Sequence, residues 1–537
     1  MRRFPRKLAT LGVALIPLVA GGFLLQSRAE RQGDRLLDQV FSYVQSRFVD
    51  QVSTQDLYEK AARGLVEELN DPYSELLAPK DLKRFQASTG GKYGGVGMQI
   101  EDQQGWITVQ TVFPHTPAER QGVRVGDRIV FADSLGVRGW SLSQTSEYIT
   151  GTPGTKVTIT FARPGVTEPI RVTFTREVIH VPAVPYAIML DNRIGYLKLQ
   201  RFNESAAADV ERSIRDLTRQ GARSILLDLR ENPGGILEQS LEVSNLFLKR
   251  SQPILSVRGR VGNPVEYAAQ ADPVLPSLPL VVLTDEQSAS ASEIVAGALQ
   301  DHDRAVIIGQ TTFGKGLVQS VFPLDGGYAL KLTTAKWYTP SGRSIQKDRK
   351  IQNGRMVAEV FDSTETEAAK KNRPAYKSDA GRIVYGGGGI TPDIIVPDDT
   401  LSTLEQQVAR ATFVGPKQVD AYVALHDYAL ELSRQVRPDF QVQPGWRDEL
   451  YRRLQAKGVT VDRAQWNAAS RYVDTQLEQR VTRLAFGDST AKRRSLKYDA
   501  PLRKAIEVAN RGQTQKDLFT IAAAEAAAHP AVTTRRP

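Results

Sequence analysis

The stretch LPLVVLTDEQSASASEIVAGALQD, residues 278–301, decides the fold. Leu280 to Leu283 are apolar at every position, with no alternation. A strand reads this way when both faces are buried, as in a parallel sheet covered by helices. The second half reads as a helix. Ser290 and Glu293 fit a capping box, with Ser290 at the N-cap and Glu293 at N3. Strand, turn and helix in that order predict an α/β domain whose turn carries three serines, Ser288, Ser290 and Ser292.

The same alternation extends over 190–400. RIGYLKL (193–199) precedes the helical SAAADVERSIRDLTRQG (205–221), and SILLDLR (224–230) leads through ENPGG (231–235) into the helical ILEQSLEVSNLFLK (236–249). RAVIIGQ (304–310) and YALKLTTAKWYT (328–339) are further strands, and 349–386 reads as a polar loop insertion. Residues 91–178 switch to period two: GWITVQTVF, GDRIVFAD, KVTITFARPG and IRVTFTRE are strand-like, with short helices at TPAERQG and SLSQTSEYITG. Residues 30–90 and 400–520 are helical in pattern, and no internal repeat is present.

A length of 537 residues suggests three to four domains. Hydrophobic residues at 41% and charged ones at 24% are ordinary for a globular chain. The net charge is +10 and the pI about 9.5, with much of the excess at the ends and no basic run interleaved with aromatics, which argues against nucleic acid as partner. There is no cysteine, so disulfides, a cysteine nucleophile and thiolate metal sites are excluded. MRRFPRK followed by the 18 uncharged residues 8–25 reads as an export signal or a retained membrane anchor with the body on the outer face, the cell envelope or periplasm.

A serine at a helix N-terminus is most simply a cap. The same place also offers free amides and the positive end of the helix dipole, which suit an alkoxide or oxyanion, and the amide of Ala291 would point there. None of the five histidines is placed by sequence as its base: His302 lies about 18 Å along the helix, and His115, His180, His426 and His529 lie in other modules. Lys315 in GQTTFGKGLVQS (309–320) is the alternative, because a lysine without local counter-ions in an apolar setting can be neutral and take a serine proton. The same stretch matches part of a phosphate-binding loop, but Gly316 stands where Ser or Thr is needed and a strand follows instead of a helix. Gly234 and Gly235 can bring backbone amides close to a ligand.

Taken together, LLDLRENPGGIL (226–237), SASASEIVAGALQD (288–301), GQTTFGKGLVQS (309–320), and TPSGRSIQ (339–346) with GGGGITPDIIVP (386–397) closely resemble the carboxyl-terminal processing, or tail-specific, serine peptidases over about 50–400. The resemblance implies an α+β multidomain chain: an α/β peptidase core of the crotonase or ClpP type, an inserted PDZ-like β module, and flanking helical N- and C-terminal regions. The corresponding segments are 1–28 (signal or anchor), 29–89 (helical), 90–178 (PDZ), 179–400 (peptidase) and 401–537 (helical). It implies Ser290 as nucleophile, Lys315 as base 25 residues on, and Gln319 as the residue that positions the lysine. Oxyanion donors would be the amides of Ala291 and of Gly234 or Gly235, with Asp301 in a supporting or structural role. Gly95, Val96, Gly97 and Met98 would bind the carboxylate of a protein or peptide C-terminal tail, added as a strand. No cofactor or metal is implied. The terminal helices would serve a homo-oligomer or an adaptor. One departure concerns coupling of tail binding to catalysis: many members carry an arginine where this chain has Thr150-Gly151. The rival reading is a catalytically silent PDZ scaffold, or an envelope assembly protein acting through its terminal helices.

Overall fold

The computed structural model describes residues 35–528 apart from 104–105, 164–165, 191–192, 348, 353–354, 359–372 and 415–416. It divides into two units, one formed by the described part of Met1–Pro79 with Ser320–Thr333, the other by Lys80–Gln319 with Thr334–Pro537. The apolar segment 8–25 lies outside the described residues, as does His529. Among the described residues no helix is long and apolar enough to cross a membrane.

In the smaller unit, a helix over 35–47 precedes Thr54–Glu67, which Ser53 caps by accepting the Asp56 N–H at 3.0 Å. The strand Glu75–Leu77 pairs antiparallel with Ala329–Lys331. Leu36, Leu37, Val40 and Tyr43 are exposed on the first helix.

In the larger unit, six strands form the main sheet in the order Ala187–Leu190, Ile194–Lys198, Ser224–Asp228, Leu280–Thr284, Val306–Gly309 and Ile394–Ile395. The first pair is antiparallel and the rest run parallel. Ser224–Asp228 and Leu280–Thr284 are buried along their whole length, which is why they carry no alternation. Ala206–Arg219, Leu237–Asn245 and Ala291–Asp301 supply the core on one face, around Val210, Ile214, Val243 and Val295. Ala500–Arg511 and Gln515–Ala528 close the other face with Leu502, Val508 and Leu518. The stretch 401–537, read above as one flanking region, thus divides in two. Its helices between Thr403 and Ser495 pack around their own core, including Trp466, Val473 and Leu477, whereas the last two complete the main sheet.

The period-two segment is an antiparallel sheet in the order Met98–Gln103, Trp106–Val112, Arg128–Ala132, Lys156–Ala162 and Ile170–Thr175. Its alternate residues Ile107, Val109, Ile159 and Phe161 fill a core of their own. Met98–Gln103 is an edge strand, with the helix Leu142–Ile149 beside it. Lys92–Gly95 pairs with Glu177–His180 at the base of the module. A second antiparallel ladder joins Pro253–Gly259 to Ala335–Tyr338. The segment 349–386 is not simply a loop. Its described parts contain two short ribbons, Arg349–Gln352 with Arg355–Ala358 and Ala375–Lys377 with Ile383–Tyr385, whose strands are too short to show a period.

Candidate active site

The strand Leu280–Thr284 delivers the three serines to one end of the sheet, and their fates differ. Ser288 is buried: its hydroxyl donates to Leu229 O (2.9 Å) and Asp285 Oδ1 (3.0 Å). Ser292 is buried and donates to Asn232 O at 2.9 Å. Both serve the turn. Ser290 alone of the three keeps partial exposure. Its backbone sits at φ 54°, ψ −111°, a region that residues with a Cβ seldom occupy and that recurs where a side chain is held for chemistry.

Glu293 does more than cap the helix. Its Oε2 accepts the Ser290 N–H (2.8 Å) and the Lys315 N–H (2.8 Å), and its Oε1 accepts the Thr312 hydroxyl (2.5 Å) and the Gly314 N–H (2.6 Å). One buried carboxylate therefore ties the serine turn to the lysine loop. Burial raises its pKa, and the four hydrogen bonds offset that only in part. Five consecutive amides of the lysine loop are satisfied: Thr312 by Ile390 O, Phe313 by Ser288 O, Gly314 and Lys315 by Glu293, and Gly316 by Gln346 Oε1. Trp337 Nε1 donates to Lys315 O at 3.1 Å, so the loop is fixed on its other side as well. Lys315 is half-buried, and Gln319 follows it on the strand Leu317–Pro323, which rules out the helix a phosphate-binding loop requires.

The turn 229–235 meets the serine from the neighbouring strand. Asn232, fully buried, accepts the Ala289 N–H and the Ser292 hydroxyl on its carbonyl, and its side chain donates to Leu199 O at 2.8 Å. Gly234 has φ 96°, and a Cβ there would lie 2.9 Å from Ser290 Cβ and from Ala291 N, so only glycine lets the two turns touch. The Gly234 amide, one of two candidate oxyanion donors, is already given to Asn232 Oδ1 at 3.0 Å. Among the described residues, the amides of Ala291 and Gly235 have no acceptor. Of the two glycines, Gly235 is the one left with a free donor.

Asp301 stands at the far end of the serine helix, about 16 Å along it. It is buried against Arg343 (2.7 Å) and accepts the Ser341 N–H (3.0 Å), so it anchors the turn 339–343 rather than reaching the serine. The chain continuing from that turn reaches the lysine loop through Gln346 and through Lys347 N–H to Gly314 O (3.1 Å). His302 is engaged by Asp379 (2.8 Å) and Pro253 O (2.6 Å), away from the serine turn. Among the described residues no cluster of side chains could hold a metal ion. The residues the sequence reading missed are Asn232 and the second role of Glu293. Their signals, an Asn within ENPGG and a Glu at N3, have local explanations that hide the long-range ones.

In the PDZ-like module, Gly95 ends the strand Lys92–Gly95 and Met98 opens the edge strand. Val96 O accepts Ala118 N–H, and Gly97 O accepts Phe113 N–H and the Thr116 hydroxyl. The N–H groups of Val96 and Gly97, both buried, find no acceptor among the described residues. Where the sequence lacks an arginine at Thr150-Gly151, Arg176 fills the space: it donates to Tyr148 O (2.8 Å) and Ile149 O (2.8 Å) at the end of the helix Leu142–Ile149.

Three family models match the chain: peptidase family S41 over 193–354, a PDZ domain over 94–174, and the activating protease CtpB N-terminal domain over 26–80. A carboxy-terminal-processing protease of Bartonella bacilliformis is 40% identical over 312 residues, 57% of this chain and 71% of that protein. The carboxy-terminal processing protease CtpA of Bacillus subtilis is 33% identical over 343 residues, 63% of this chain and 73% of the relative. A solved photosystem II D1 C-terminal processing protease is 30% identical, covering 60% of this chain and 86% of that one, with a TM-score of 0.35.

Proposed function

The chain belongs to peptidase family S41, alongside the carboxy-terminal processing proteases, and from that premise we propose a serine endopeptidase with a Ser290–Lys315 dyad that cleaves proteins at or near their C-termini. The observation that carries this reading is Glu293, which holds the backbone of the partly exposed serine and that of the lysine on one carboxylate.

In this mechanism neutral Lys315 Nζ takes the Ser290 Oγ proton as Oγ bonds to the peptide carbonyl carbon. The developing oxyanion meets the amides of Ala291 and Gly235, each such donor being worth about 100- to 1,000-fold in rate. The C–N bond breaks, Lys315 returns the proton to the leaving amine, and water, deprotonated by the same lysine, hydrolyses the ester. Gln319 orients the lysine. The substrate tail adds to the edge strand Met98–Gln103, with its carboxylate on the amides of the Gly95–Met98 turn. Export to the cell envelope, by signal or anchor, rests on the basic start and the uncharged segment 8–25.

The test compares the wild type with Ser290→Ala and Lys315→Ala on an unfolded protein ending in apolar residues. Digestion by the wild type alone is the expected result. Digestion by Ser290→Ala would remove the nucleophile assignment, and binding of tails without any digestion would favour the silent scaffold.

A further inference from the structure

The turn that meets Ser290 is held from a distant part of the chain. Asp228, 1% exposed at the end of its strand, accepts the Tyr196 hydroxyl (2.6 Å) and Arg230 Nε (3.0 Å) and Nη2 (2.7 Å), and Lys198 Nζ lies 3.5 Å away. Arg230 turns the rest of its guanidinium outward to a second carboxylate, Asp499, with Nη1 to Oδ1 at 2.8 Å and Nη2 to Oδ2 at 3.0 Å. Asp499 also accepts Lys492 Nζ (2.7 Å) and caps the helix Ala500–Arg511 through Leu502 N–H (3.0 Å). Arg230, Asp499 and Lys492 are all at most 15% exposed. Two residues after Arg230, Asn232 stitches this turn to Ala289 and Ser292, and Gly234 touches Ser290.

A two-pronged pair fixes the plane of a guanidinium, not only its charge. Arg230 is part of the turn and is forked to two carboxylates: one ends the strand just before it, the other comes from a residue 269 positions away, so the guanidinium is held on both sides. Without Asp499 the cations Arg230, Lys198 and Lys492 lose one of the carboxylates they share, with Asp228 left in contact and Asp398 near Arg230. Arg230 is then held from one side only, and the turn with it.

We propose that Asp499 is a positioning residue for catalysis: acting through Arg230, it holds the Asn232–Gly235 turn, and hence the Gly235 amide, against Ser290. The C-terminal helical region is on this view part of the catalytic apparatus. The inference rests on the Ser290 reading above.

The test uses the full chain, with rates expressed per serine titrated by a fluorophosphonate. Asp499→Asn should lower kcat 10- to 100-fold with KM within twofold, and should slow fluorophosphonate labelling by a similar factor. Asp499→Glu, which keeps the charge but moves the fork, should recover part of the rate at an unchanged Tm. Lys492→Met, which removes a charge but leaves the fork, should lower Tm with kcat nearly kept. Glu525→Gln, in a pair that does not reach Arg230, should leave the rate unchanged. A kcat per titrated serine that Asp499→Asn and Asp499→Glu leave at the wild-type value overturns the inference and leaves the dyad standing. Cleavage retained by Ser290→Ala overturns the dyad, and this inference with it.

Discussion

Two buried carboxylates support the turns that meet at the serine, and they are held in opposite ways. Asp228 sits among cations. Burial alone would raise its pKa, but Arg230, Lys198 and Lys492 more than offset that and hold it well below the usual range. Glu293 sits among three N–H groups and a hydroxyl, and burial wins: its pKa is raised. The difference teaches what each support is for. Charge pairs lock a carboxylate as an anion but need long side chains brought from elsewhere. Backbone dipoles gather several chain segments closely around one residue, at the cost of a more easily protonated acid.

The strongest way to break the contrast is Asp228→Asn. It leaves Arg230 and Lys198 short of a buried partner and should cost about 3–5 kcal/mol, read by urea unfolding. Glu293→Gln should cost less, about 1–3 kcal/mol, because one oxygen still accepts while the new NH2 faces two donors. Cleavage should nonetheless fall at least about 100-fold, since the serine and lysine backbones lose their common anchor. An active Glu293→Gln enzyme would separate the anchor from the chemistry.

Stability against pH sharpens the comparison by sign. The pKa of Glu293 is raised, so its stabilising contribution is complete below the ordinary value of 4.5 and is lost as pH rises through its folded value. That of Asp228 is depressed, so its contribution is present above 3.8 and is lost only as pH falls toward its folded value. Removing each group should therefore change the profile on opposite sides of about pH 4, with slopes up to about 1.4 kcal/mol per pH unit. A third buried group sets the acid limit more broadly. Burial first, then Arg480 and Arg128, push His426 down to about 3. The fold should lose stability as pH drops from 6.5 toward 3, and His426→Gln should flatten that limb of a urea titration. The smallest effect is expected from Asp474→Asn, a partly exposed pair with Arg447 at 2.8 Å, at about 0–1 kcal/mol in the same assay.

What was legible in the sequence was local. The unbroken apolar run 280–283 gave the covered sheet, period two gave the strands of 91–178, and the resemblance carried by four motifs in order pointed to the PDZ-like module, Ser290 and Lys315. What escaped depends on residues far apart in the chain. Glu293 read as a cap because Gly314 and Lys315 lie 21 and 22 residues on. Gly234 and Gly235 were equivalent until Asn232 was seen to occupy one of their amides. The last two helices read as a flanking region because the apolar stripe of Ala500–Arg511 says only that something covers it, the alanine-rich Gln515–Ala528 shows no stripe, and nothing local identifies the main sheet as the cover. The ribbons within 349–386 fail for the opposite reason, being too short to leave any pattern.

The edge strand Met98–Gln103 and the two unanswered amides of Val96 and Gly97 have a consequence for selectivity. A strand edge offers backbone groups that almost any extended chain can pair with, so pairing alone discriminates little by sequence. A buried N–H without an acceptor is costly, and a chain end would bring to both a carboxylate that the backbone of a chain interior lacks. On the proposed reading, the module would be a detector of termini, holding an end more tightly than the interior of the same polypeptide.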